Sequence, residues 1–152
     1  MKNSILLALL LIFTVPIYSQ EQKNSYDEAL AKSLHADEDG MKNYVFCLLK
    51  AGNYTAASKD ESQKLFKGHM ATIYKLAQDK KLIITGSFMP NEKNYMGIFI
   101  FNVETIAEAE ALVVNDPAIK AHLIDIELIP WVSSAALQEV TKIHPKIAKT
   151  KF

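Results

Sequence analysis

The chain has 152 residues, 49% of them apolar, and its 17 basic residues, all lysine, balance 17 acidic ones to a formal charge of zero. That balance leaves no electrostatic footprint for nucleic acid, and without arginine the bidentate capture of a strongly anionic ligand is disfavoured. Cys47 is the only cysteine, which excludes an intramolecular disulfide.

Lys2 precedes a nearly unbroken apolar run over residues 5–17, and Tyr18, Ser19 and Gln20 follow it. This is the order of a secretory signal, and the run is shorter than the roughly 20 residues of a membrane-spanning helix. Residues 1–19 therefore read as a signal peptide, cleaved after Ser19 or Gln20. The expected product is exported, periplasmic or secreted, with no stable membrane association after processing. Its lack of disulfides inclines the source toward a bacterium. Removal of Lys2 leaves 16 lysines against 17 acidic residues, a charge of −1.

Residues 20–43 form a polar leader in which Ser25-Tyr26-Asp27-Glu28 has the form of a capping box opening a short helix. The main domain spans 44–132, and 133–152 is a C-terminal tail. Residues 44–49 read as a strand apolar on both faces, with Cys47 a buried core thiol. A helix over 60–79 places Ser62, Leu65, Phe66, His69, Ile73, Leu76 and Ala77 on one side. Strands follow at 82–88 and 95–103, and Thr105-Ile106-Ala107-Glu108 is a capping box opening a helix that Asn115-Asp116-Pro117 stops. A short turn over 117–121 leads to a last strand at 123–129, and a tail helix over 134–142 ends at His144-Pro145.

Strand, helix, strand, strand, helix, strand is the ferredoxin-like βαββαβ order of the α+β class, with both helices on one face of an antiparallel sheet. Met96, Ile98 and Ile100 point to one face of the third strand, and Phe99, Phe101 and Val103 to the other. Neither face is built for water. The expected cover for the bare face is a second copy, giving a homodimer through sheet faces. The alternative is cover by the leader or tail helix of the same chain.

The glycines at 52, 68, 86 and 97 are too dispersed for a phosphate cradle, and the histidines at 35, 69, 122 and 144 lack metal-ligand spacing. No metal or cofactor is expected. His69 stands out because it interrupts an apolar helix stripe between Phe66 and Ile73. It is either a satisfied core residue or a general base at a pocket edge. Asp116 before Pro117 is a good helix N-cap, and such a carboxylate can also orient an imidazole. Gly86 and Ser87 either floor a pocket or end a strand. Trp131 either walls a pocket or packs a corner.

Several segments carry a family resemblance: Tyr44-Val45-Phe46-Cys47-Leu48-Leu49, Gly68-His69-Met70, Ile84-Thr85-Gly86, Gly97-Ile98-Phe99-Ile100-Phe101-Asn102, Asn115-Asp116-Pro117-Ala118 and Ile129-Pro130-Trp131. In that order and spacing they resemble the YCII-related (YciI-like) domain family. The resemblance implies a ferredoxin-like fold paired sheet to sheet as a dimeric α+β barrel, and an active-site pair at His69 and Asp116. It also implies metal-free proton abstraction from a small organic substrate, as in its lyase-type, dehydrochlorinase-like members. Ser87 stands where the family commonly has proline, and His122 where it tends to have a small residue. The expected function is a cofactor-free lyase or isomerase with His69 as base, Asp116 orienting it, and Gly86, Ser87 and Trp131 around the ligand. A non-catalytic exported dimer, binding a small molecule or purely structural, is the alternative.

Overall fold

The structure, a computed structural model, describes residues 25–149; the segment read as a signal peptide lies outside the described residues. Strand β1 (Met41–Ala51) is central. It pairs antiparallel with β4 (Ile124–Ser134) on one side and with β3 (Tyr95–Phe101) on the other. Strand β2 (Leu82–Ser87) pairs with the outer side of β3, giving the order β2-β3-β1-β4. Both β1 and β4 run longer than their apolar cores suggest, because their ladder is continuous from Met41 opposite Ser134 to Ala51 opposite Ile124. Pro130 does not end β4, since an edge strand tolerates a residue that donates no hydrogen bond.

One face of the sheet packs on helices α2 (Lys59–Gln78), α3 (Ile106–Val113) and α4 (Pro117–Lys120). Val45, Cys47, Phe99, Phe101 and Ile124 meet Leu76, Ala109, Val113 and Ala118 there. Cys47 is fully buried, and burial pushes its thiol up to about 12, which leaves it inert at neutral pH. Capping sets the helix starts: the Ser58 side chain accepts from the Glu61 N–H, and Thr105 and Glu108 complete both arms of a capping box. Helix α1 (Glu28–Ser33) is capped by Asp27 rather than Ser25, its carboxylate accepting the Leu30 N–H at 2.9 Å.

The expectation of a ferredoxin-like dimeric α+β barrel is corrected. The four strands form one open antiparallel sheet whose edges are β2 and β4, and it does not close. On the face away from α2, Tyr44, Ile83 and Ile100 are buried, with Phe46, Ile84 and Leu137 packed against them. Leu137 belongs to a single 3-10 segment, Ala135–Glu139, which runs into α5 (Val140–Ile147). The tail thus covers part of this face, while Ile129 and Trp131, paired opposite Phe46 and Tyr44 on it, stay 42% and 37% exposed. A tethered segment reaches the face without the translational and rotational cost of association. Two hydrogen bonds fix its root: Tyr44 Oη donates to the Ser134 carbonyl at 3.2 Å, and the Gln138 amide donates to the Leu34 carbonyl at 2.7 Å. The tail helix also passes through Pro145 instead of stopping before it.

If the tail is structural cover, Leu137→Ala should lower the unfolding free energy by about 1–3 kcal/mol in urea titrations, less than a fully buried leucine would cost. An unchanged midpoint would mean that this face draws no stability from the tail.

Candidate active site

Helix α2 turns His69 toward the sheet, where it is 6% exposed, and α4 brings Asp116 to it at 1% exposure. Asp116 is the N-cap of α4, with Pro117 in the first turn. One carboxylate oxygen, Oδ1, accepts the N–H groups of Ala118 at 3.0 Å and Ile119 at 3.2 Å. The other, Oδ2, accepts from His69 Nδ1 at 2.9 Å. Helix cap and histidine partner are therefore one residue doing both at once.

The electrostatics follow from that division. Burial alone would raise the Asp116 pKa, but the hydrogen bond and charge of His69, with the two backbone N–H groups, outweigh it and hold the carboxyl below its ordinary range. An ionised carboxylate only accepts, so Nδ1 of His69 carries the proton, and in the neutral ring Nε2 carries the lone pair. Among the described residues Nε2 has no hydrogen-bond partner. The ring stacks on Phe99 at 5.8 Å between centroids and meets Phe66 edge-on at 6.3 Å, which fixes its plane.

His69 lines a cavity of about 110 Å³ bordered also by Phe66, Ile73, Gly86, Ser87, Met96 and Phe99. That volume takes a functional group or a few waters; whole small-molecule sites run from about 300 to 1,000 Å³. Gly86 and Ser87 thus meet His69 at one cavity. The close backbone approach belongs to Gly97, where a Cβ would lie 2.3 Å from the Gly86 carbonyl oxygen, whereas a Cβ on Gly86 itself would meet nothing within 4 Å. Trp131 is not brought to this cavity. It packs on Tyr44 and Phe46, with centroids 6.2 and 6.3 Å away, on the sheet face away from α2. His122 is also apart, exposed and bonded through Nδ1 to Asp125 at 2.9 Å. Among the described residues, no group of three or more His, Cys, Asp or Glu side chains could hold a metal ion.

Gly68 is the functional residue that sequence reasoning left without a role. A Cβ there would lie 2.6 Å from Pro117 Cγ. The bare backbone lets α4 close on α2, and that approach carries Asp116 to His69 from the neighbouring position. A glycine inside a helix, next to the residue of interest, was the available signal.

A family model described as YCII-related domain matches residues 44–132, more than half of the chain. Among solved structures, the chain is similar to 5-chloro-2-hydroxyhydroquinone dehydrochlorinase from Burkholderia phenoliruptrix in complex with 2,5-dihydroxybenzoquinone. That match has 21% identity and a TM-score of 0.37, and covers 59% of this chain and 90% of that one. No curated protein matches.

The role of Gly68 is separable from helix propensity, because Gly→Ala in a helix interior ordinarily stabilises by up to about 1 kcal/mol. Here the clash should win: Gly68→Ala is expected to destabilise by about 1–3 kcal/mol in chemical denaturation. A stabilised variant would show that α4 does not depend on this contact.

Proposed function

The chain belongs to the YCII-related domain family, and from that premise we propose that it is a small-molecule lyase or isomerase in which His69 is the general base. The observation that carries the proposal is the division of the Asp116 carboxylate between its own helix cap and His69 Nδ1, with the His69 ring among the groups that line the cavity. A substrate presenting a polarised C–H within about 3 Å of Nε2 would give up its proton there. The imidazolium so formed is stabilised by the ionised Asp116 beside it. The electron pair left on carbon then expels a neighbouring leaving group in a lyase. In an isomerase it takes the proton back from Nε2 at another carbon. Ser87 and Gly86 border the same space, and the Ser87 hydroxyl and the Gly86 backbone are the groups proposed to meet the polar end of the substrate.

A binding or structural role without turnover draws on the small cavity and on the 6% exposure of His69. Exchange chemistry separates the two. Small cyclic ketones, quinols and halogenated phenols are incubated with the protein in D₂O and followed by NMR for loss of C–H signal or release of halide. Turnover by the wild type should fall by about 10²–10⁴ in His69→Ala. Asp116→Asn should also fall steeply, because an amide can donate to Nδ1 and move the proton onto Nε2. Turnover untouched by both substitutions would remove the pair from the chemistry.

We further infer that this chemistry takes place outside the cytoplasm, which rests on the sequence of Lys2, the apolar run over 5–17 and Ser19. N-terminal sequencing of protein recovered from the periplasm or medium should begin at Gln20 or Glu21. An intact Met1 on protein retained in the cytoplasm would contradict export.

A further inference from the structure

A second, larger concavity adjoins the His69 cavity. It is a groove of about 660 Å³ between α2, strand β2 and the tail helix α5. Met70, Ile73, Thr85, Gly86 and Ser87 line both, so the two are neighbouring parts of one recess. Ala77 of α2 forms part of its inner wall, and Val140, Thr141, His144, Pro145 and Ala148 of the tail form its outer wall. These tail residues lie beyond residues 44–132, the part matched by the family model. Not one Asp, Glu, Lys or Arg lines either space. Its volume lies within the range of whole small-molecule sites.

We propose that the tail builds a specificity pocket for an uncharged, predominantly apolar small molecule, whose reacting end enters the His69 cavity while its body lies between α2 and α5. The proposal rests on the reading of His69 as base and names the class of substrate for that site. Three observations converge on this occupant. The His69 cavity alone is too small for a whole substrate, so the remainder must lie next to it, and the groove is the adjoining space with shared walls. Apart from the imidazoles of His69 and His144 the lining has no side chain that carries charge near neutral pH, and no Lys, Arg, Asp or Glu stands there to compensate the desolvation of an ionic ligand. The polar side chains of the lining are the hydroxyls of Tyr74, Thr85, Ser87 and Thr141, the Gln78 amide and the His144 imidazole, donors and acceptors suited to a carbonyl or phenol. The tail therefore has two uses: Leu137 covers the sheet, and the helix after it shapes the recess.

The test uses the full chain and two dyes of nearly the same skeleton, neutral N-phenyl-1-naphthylamine and its anionic sulfonate analogue 1-anilinonaphthalene-8-sulfonate. The neutral dye should bind at a single site with blue-shifted fluorescence, and the sulfonate at least about tenfold more weakly. Ala77→Trp and Ala148→Trp fill the groove from opposite walls, and each should weaken the neutral dye by about tenfold or more with an unchanged unfolding midpoint. Two variants on separate elements keep the test decisive should one fail to fold. The tryptophan variants are read by dye binding and His69→Ala by turnover, so loss of the groove and loss of catalysis are read independently. Dye binding without any His69-dependent turnover would leave the pocket standing and sink the general-base reading. The pocket proposal is overturned if the wild type does not bind the neutral dye, if both tryptophan variants bind it undiminished, or if the sulfonate binds equally well. Exclusion of the dye together with concentration-dependent dimerisation would assign the groove to another copy of the chain and overturn it too.

Discussion

The Asp116 carboxylate is the constraint on which the site is built. It is buried to 1% exposure, and an isolated charge there would be costly, so both oxygens must be satisfied. Two backbone N–H groups of α4 take one oxygen and His69 Nδ1 takes the other. The cap requires α4 to start at Pro117, and the histidine bond requires α4 to lie against α2. Gly68 makes that approach sterically open. Removing one member of such a buried pair typically costs about 3–5 kcal/mol, since the remaining partner is stranded. Folding and the electronic state of the imidazole are therefore coupled: the interaction that closes α4 on α2 also decides which ring nitrogen is basic.

The sheet adds a second condition. With β1 central, the chain must bury apolar residues on both of its faces, and the helices occupy only one. The segment after β4 meets part of this demand within the chain by laying Leu137 over Tyr44, Ile83 and Ile100, and leaves Ile129 and Trp131 more than a third exposed. Once the tail has turned across this face, α5 lies along the β2 edge, close to the strand that carries Gly86 and Ser87. A demand of folding on one face of the sheet thus determines what surrounds the cavity on the other.

Local signals in the sequence were legible. The Thr105-Glu108 box, the stop at Asn115-Asp116-Pro117, the long helix carrying His69 and the buried Cys47 all follow from short-range chemistry. Asp116 was visible both as a cap and as a histidine partner, but the sequence presents these as alternatives, and only the three-dimensional path of α4 makes them simultaneous. What escaped was set by distant contacts. The full length of β1 comes from pairing with β4 about eighty residues later. Cover of the second sheet face was open between a second copy and the leader or tail helix, and it is the distant contact of Leu137 that puts the tail on part of it. Trp131 could be read as a pocket wall or as corner packing, and the alternation of β4 sends its ring to Tyr44 and Phe46. Gly68 needed a partner 49 positions away, Pro117, before its lack of a side chain meant anything.

The central claim is that an ionised Asp116 fixes the proton on Nδ1 of His69 and leaves Nε2 as the base. It is tested most directly by ¹⁵N NMR of the histidine ring nitrogens, taken at a pH where the His69 ring is neutral and assigned by comparison with His69→Ala. The account predicts a protonated Nδ1 with a downfield, slowly exchanging proton, and an unprotonated, pyridine-type Nε2. A ring protonated on Nε2 with a bare Nδ1 would contradict it.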